Sequence, residues 1–154
     1  MTRWLTQDEQ RAWRGLLEVC SRLDARLNRQ LQESSGLSLA DYDVLVPLSE
    51  TPDGRLRMFE LSERLAWEQS RLSHHVTRMQ RRGLIDREDC RQDRRGAYVV
   101  ITAAGRDVIT RAAPAHADAV RSLVFDAVSP EQVAELDAFT SAVLSRLRED
   151  ETKR

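Results

Sequence analysis

The stretch 58–102 leaves this chain the fewest options. Residues 69–82 read Gln-Ser-Arg-Leu-Ser-His-His-Val-Thr-Arg-Met-Gln-Arg-Arg, with four arginines, two histidines and no carboxylate. Leu72, Val76 and Met79 recur at i, i+4 and i+7, so one narrow stripe of a helix faces a core while the rest stays polar. Gly83 follows as a C-terminal cap. A shorter helix over 59–66 precedes it, with Leu61 and Leu65 one turn apart. After Gly83 come two strand-length runs, 84–88 and 97–101, joined by the polar turn Asp89-Cys90-Arg91-Gln92-Asp93-Arg94-Arg95-Gly96. Helix, tight turn, basic helix and a hairpin with an arginine-rich tip make a winged helix-turn-helix. The fold class is therefore mainly α with a small β-hairpin wing.

At about 100° per residue, Ser70, His74, Thr77 and Arg81 point away from the apolar stripe. Arg71 and Arg78 lie on one flank and His75 falls nearer the buried side. Short hydrogen-bonding side chains near a helix start, followed by arginines, offer donors to base edges and cations to phosphates. The candidate DNA-binding set on this helix is Gln69, Ser70, Arg71, Ser73, His74, Thr77, Arg78 and Arg81. On the wing, Arg94 and Arg95 suit a second contact in the minor groove or along the backbone. Asp93 can orient Arg95 through a charge-assisted hydrogen bond. A solvated charged helix face and a solvated hairpin tip are the plain alternatives.

The distribution of charge supports the first reading. The formal net charge is −1 over 154 residues, which by itself names no nucleic-acid partner. Residues 56–101 nevertheless carry 10 basic and 7 acidic side chains, while 1–55 and 102–154 each carry 7 and 9. Binding to DNA needs a local positive footprint rather than a basic protein, and acidic flanks keep the outer helices off the duplex. A chain with 41% hydrophobic and 32% charged residues has room for a core, as one domain or one dimer-forming protomer. No apolar run approaches a membrane span and no secretory signal opens the chain, so the expectation is a cytoplasmic protein without a membrane partner.

Helices flank the reading head on both sides. Thr6-Gln7-Asp8-Glu9 is a capping box that starts a long helix, with Trp13, Leu16, Leu17, Cys20, Leu23, Leu27 and Leu31 along its apolar stripe. This places Cys20 in a core. Ser34-Ser35-Gly36 ends the helix, and Ser38 caps a second one carrying Tyr42, Leu45 and Leu48, which stops at Thr51-Pro52-Asp53-Gly54. Residues 55–58 form a short extended piece beside the wing. Beyond Thr102, Val108, Ile109, Ala112, Ala119, Val120 and Leu123 mark another helix, which Pro114 should bend or break. Ser129-Pro130 starts the last helix, with Val133, Leu136, Phe139, Val143, Leu144 and Leu147.

Three motifs together resemble the MarR family of bacterial transcriptional regulators. They are Leu-Ser-Leu-Ala-Asp-Tyr-Asp-Val-Leu at 37–45, the basic helix with its following Gly-Leu at 70–84, and Asp93-Arg94-Arg95-Gly-Ala-Tyr-Val-Val-Ile-Thr, which is similar to the family's Asp-x-Arg wing and leads into Ile101-Thr102-Ala103-Ala104-Gly105. The resemblance covers nearly the whole chain. It implies a division into an N-terminal dimerisation helix (1–36), a winged helix-turn-helix DNA-binding domain (37–101) and C-terminal dimerisation helices (102–154). It also implies a homodimer on double-stranded DNA, acting as a repressor at a pseudo-palindromic operator and released by a small-molecule ligand. Without the resemblance, the long apolar stripes fit an intramolecular bundle equally well. Family members often take phenolic or other anionic molecules in a cleft between dimer helices and reading head, for which Trp13, Tyr42, Asp43 and His116 are the candidate liners of a small aromatic or anionic effector. Trp13 and Asp43 resemble a urate-responsive branch, in which an arginine stands where this chain has His75.

Catalysis has no foothold. There is no Cys-x-x-Cys or His-Glu-x-x-His metal spacing, no phosphate loop and no nucleophile elbow, so neither metal, cofactor nor catalytic residue is expected. Two alternatives stay open: a redox-responsive regulator of the same fold acting through Cys90, beside arginines that favour a thiolate, and a helical interaction module that binds no DNA.

Overall fold

The computed structural model describes residues 1–89 and 96–153. The hairpin tip, with Cys90, Asp93, Arg94 and Arg95, lies outside the described residues. In chain order the elements are α1 (Gln7–Ser35), α2 (Leu39–Glu50), β1 (Arg55–Arg57), α3 (Met58–Leu65), α4 (Gln69–Arg81), β2 (Ile85–Glu88), β3 (Tyr98–Ile101), α5 (Ala103–Leu123), a 3-10 turn (Phe125–Ala127) and α6 (Pro130–Thr152). They group into two compact units, Met1–His116 and Ala117–Arg154. Among the described residues, no helix is long and apolar enough to cross a membrane.

Side-chain caps set most helix starts in the first unit. Thr6 and Glu9 form the expected box at α1, and Ser38 and Asp41 form a second one at α2, with Ser38 Oγ accepting from the Asp41 N–H at 3.0 Å and Asp41 Oδ2 accepting from the Ser38 N–H at 2.9 Å. Asn28 of α1 fixes the corner between the two by accepting from the Leu39 N–H at 2.9 Å. Each such cap satisfies N–H groups that have no partner inside the helix.

The sheet is antiparallel in the order β1-β3-β2, with Arg57 opposite Tyr98, and Glu88 opposite Tyr98 on the other side. Strand alternation sends Leu56, Ile85, Val99 and Ile101 inward. These meet Leu31 of α1, Val44, Leu45 and Leu48 of α2, Leu61 of α3, the Leu72, Val76 and Met79 stripe of α4, and Ile109 and Ala112 of α5 in one hydrophobic core.

Gly83 has φ 75°, with its N–H on Gln80 O at 2.9 Å and the Leu84 N–H on Met79 O at 3.1 Å, the paired bonds of a Schellman stop. Gly105 serves a different need. A Cβ on it would run into the Leu84 carbonyl oxygen and stand 2.9 Å from Ile101 Cγ1, so the first turn of α5 can lie against the start of β2 only without a side chain. Thr102 completes that corner, its hydroxyl accepting from the Gly105 N–H at 3.0 Å and donating to Gly83 O at 2.7 Å.

One expectation is narrowed and another needs correction. Pro114 does not break its helix: α5 runs unbroken from Ala103 to Leu123. The carbonyl that a proline leaves without an N–H partner is that of Thr110, an exposed residue, where water can take its place. Cys20 is not in a core but exposed, because the apolar stripe of α1 is covered in this chain only toward its end, at Leu31.

The second unit holds the end of α5, the 3-10 turn and α6, which starts as expected with Ser129 as cap, Gln132 completing the box and Pro130 in the first turn. No residue of α6 is buried.

Candidate nucleic-acid interface

The helix-turn-helix is joined at residues 66–68. Ala66 sits in the left-handed region at φ 52°, with its N–H on Glu63 O at 3.2 Å, and the Ser62 hydroxyl donates to Trp67 O at 2.7 Å. These bonds fix the angle at which α4 leaves α3. The α4 stripe is buried as the sequence predicts, and its opposite face is open: Gln69, Ser70, Arg71, His74, Arg78 and Arg81 are exposed. No acidic side chain lies on the helix itself. An exposed row of hydroxyl, imidazole and guanidinium groups on a helix backed by a sheet is the arrangement that enters a major groove.

Two members of the expected set also bond within the protein. Ser73 is half-buried, and Arg87 of β2 donates to its hydroxyl at 3.3 Å, tying strand to helix. Thr77, also half-buried, donates to Ser73 O at 2.9 Å. Asp93, Arg94 and Arg95 fall outside the described residues. At the base of the same wing, however, the Arg55 and Arg57 guanidinium groups stand 3.9 and 4.0 Å from the ring centroid of Tyr98. Arg57 also donates to Gly96 O at 3.1 Å. Arg55 is braced by Glu88 at 3.4 Å and Asp53 at 3.8 Å, and its contact with Tyr98, with these carboxylates, raises its pKa. Nothing in the composition marks this cluster; the alternation Arg-Leu-Arg in β1 is its one signal, and it acquires meaning only through the register with Tyr98.

Behind α4 lies a buried polar group absent from the candidate set. Asp41, almost wholly buried in α2, accepts from Arg82 Nη1 at 2.6 Å and faces His75 Nε2 at 3.0 Å. Arg82 Nη2 reaches on to Gly36 O at 3.1 Å. Burial pushes the Asp41 carboxyl up, but the nearby His75 ring, hydrogen bonds from Arg82 and the Ser38 N–H, and the Arg82 charge hold it well below the usual carboxylate range. The same carboxylate that caps α2 thus grips the recognition helix from behind. Arg71 stacks on Trp67 at 4.0 Å, and Trp67 meets the His75 ring edge-on at 5.6 Å.

The four candidate effector residues separate. Tyr42 and His116 come together, with ring centroids 4.4 Å apart and His116 Nδ1 at 3.4 Å from Gln30 Oε1. Burial raises the Tyr42 pKa and lowers that of His116. Tyr42 also lines an open groove of about 390 Å³ with Val46, Ser49, Glu50, Arg106 and Ile109. Asp43 is on the next face of α2, half-buried, its pKa raised by burial and by Asp24, against Arg71 and the protonated form of His75. Trp13 is exposed and lies roughly 25 Å up the α1 axis from Gln30 at the ~1.5 Å rise per residue, so it cannot line the Tyr42–His116 site of its own chain. Among the described residues no group of three potential ligands could hold a metal ion.

The family model described as MarR family matches residues 35–96. No curated protein matches the chain. Among solved structures, the chain is 43% identical to Sco3205, a MarR family transcriptional regulator from Streptomyces coelicolor crystallised in complex with DNA, with a TM-score of 0.88 over 95% of this chain and 92% of that one. It is 42% identical to AbsC, a MarR family transcriptional regulator from the same organism, with a TM-score of 0.88 over 96% of this chain and 99% of AbsC. It shares its fold, at 20% identity and a TM-score of 0.76 over 94% of this chain and 81% of the other, with the organohalide-sensing regulator RdhR-CbdbA1625 in its 2,4-dichlorophenol-bound form.

Proposed function

We propose, on the premise that this chain belongs to the MarR family of transcriptional regulators, that it acts as a homodimeric repressor whose two α4 helices enter successive major grooves of a pseudo-palindromic operator. The observation that carries this reading is the exposed face of α4, with Ser70, Arg71, His74, Arg78 and Arg81 and no carboxylate. The 43% identical Sco3205, crystallised with DNA, supports it. Ser73 and Thr77 take part by holding the helix and Arg55, Arg57 and Tyr98 by holding the wing, whose tip brings Asp93, Arg94 and Arg95 to the minor groove.

The division of labour follows the three stretches of sequence. Residues 37–101 read DNA, while α1 (within 1–36) and the helices of 102–154 pair with a second copy. Exposed apolar side chains at Trp13, Leu16 and Leu17 of α1 and at Phe139, Leu144 and Leu147 of α6 support that pairing, since large apolar patches on a chain of this size mark an association surface.

A small aromatic or anionic effector binds beside Tyr42 and His116, with Asp43 nearby and Trp13 supplied by the second copy, and shifts the spacing of the two reading heads. The 2,4-dichlorophenol in the RdhR-CbdbA1625 structure supports the aromatic class. Two heads mismatched to their grooves lose affinity together.

Filter binding on a duplex selected from a random-sequence library, repeated at several salt concentrations, tests the reading. Arg71→Ala should cost about 1–3 kcal/mol per half-site and relax sequence preference. A wild-type chain that selects no duplex, or binds without salt dependence, removes it.

A further inference from the structure

We propose that His75, seated by Asp41, is a positioning residue that aims Arg78 at DNA, and that protonation of His75 releases the aim. This rests on α4 being the DNA-reading helix. Arg78 is exposed on α4, and its Nη2 lies 3.0 Å from His75 Nδ1, one turn earlier on the same helix. A guanidinium carries donors only, so the Nδ1 lone pair must accept this bond and the ring proton belongs on Nε2. Nε2 lies 3.0 Å from Asp41 Oδ1, although its N–H is not aligned well enough on that oxygen to count as a full hydrogen bond. The ring is held in place: it is 8% exposed, edge-on to Trp67, and Asp41 is itself fixed by Arg82 and by the Ser38 cap. A rigid path therefore runs from a capped helix start, through a buried ring, to one arginine on the reading face.

A second proton changes one link of that path. It would occupy Nδ1, so the acceptor for Arg78 disappears and two cations face each other at hydrogen-bond distance. Asp41 and Asp43 of α2 favour the charged ring; Arg78 of α4 and Arg82 just past its end oppose it, and Trp67 presents only its neutral ring. The ring stays with Asp41, and Arg78, the one partner free to rotate into solvent, is the one displaced. The protein keeps its fold and its charge gain favours phosphate, while base-edge contact by Arg78 is lost. Acidification should therefore lower discrimination more than bare affinity.

The measurement is the ratio of affinities for a duplex selected by the wild-type chain and for an unselected duplex of the same length, taken at a series of pH values from ~8 down to ~5. For the wild-type chain the ratio should fall about tenfold on acidification, the worth of one charge-assisted hydrogen bond. His75→Gln keeps an acceptor but cannot titrate, so it should retain the high ratio at every pH. His75→Phe has no acceptor and should show the low ratio throughout; combined with Arg78→Ala it should lose nothing further. A wild-type ratio that is flat with pH overturns the proposal, as does a His75→Gln chain that keeps the wild-type slope, or independent, additive losses from His75→Phe and Arg78→Ala. The Gln arm decides even if the Phe variant does not fold. A wild-type chain that selects no duplex at all fails the DNA reading itself, an outcome distinct from a chain that reads DNA without regard to pH.

Discussion

Helices α4 and α6 are written in the same pattern and end in opposite situations. Leu72, Val76 and Met79 of α4 are wholly buried, whereas Phe139 and Leu147 of α6, spaced just as a core stripe would be, are 49% and 55% exposed. Periodicity tells which face of a helix is apolar, not what will cover it. For α4 the cover is local in sequence: α2, α3 and the strands that follow it. For α6 nothing within its own unit covers the stripe, and a second copy of the chain is the proposed cover.

The largest effect should come from setting these two stripes against each other. Leu72→Ala should cost about 2–5 kcal/mol of unfolding free energy, at any protein concentration, through the cavity it leaves. Leu144→Ala should cost less, and only through assembly: its melting temperature should depend on protein concentration and its sedimentation should shift toward the protomer. A Leu144→Ala chain destabilised equally at all concentrations would mean that the α6 face is covered within its own chain.

Next in size is Gly105→Ala, about 1–3 kcal/mol destabilising by urea titration, because the added methyl meets the Leu84 backbone rather than a side chain that can turn aside. Gly15→Ala in α1, where a Cβ has open space, should be neutral or slightly stabilising. Equal losses at the two sites would undo the distinction between a glycine kept for packing and one that merely sits on an uncovered helix.

Asp41→Asn should have a pH-dependent effect of comparable or smaller size, about 1–3 kcal/mol at neutral pH, less than for a fully enclosed pair because Arg82 is partly open to solvent. Since folding lowers the Asp41 pKa, its contribution is complete above the unfolded value of about 3.9 and is lost as pH falls below it toward the folded one. Wild type and Asp41→Asn should therefore converge in stability between pH ~4 and the acid limit. Parallel curves down to low pH would mean that the carboxylate is not what holds α4.

The smallest effect runs the other way. Ala66→Gly should stabilise by roughly 0.5–1 kcal/mol, because the left-handed turn between α3 and α4 strains any residue with a Cβ. Thermal melts read it directly, and a lower melting temperature would assign Ala66 a packing role that its exposure does not suggest.

Much of this molecule is legible in its sequence because the signals are local. The capping box at Thr6, the Ser129 cap before Pro130, the Gly83 stop, the α4 stripe and the β-rich second strand of the wing depend on neighbours within one or two turns, and each stands where its pattern puts it. The exposed cations of α4 follow from the same periodicity. Tertiary structure alone decided the rest. Asp41 and His75 are 34 positions apart and carry no mutual signal, yet folding sets them 3.0 Å apart. Ser73 is tied to the wing because β2 delivers Arg87 to its hydroxyl, and Tyr42 and Asp43, adjacent in sequence, are sent to His116 and to the side of α4 respectively. Helical phase determines where a side chain points; only the packing of distant elements determines what it meets there.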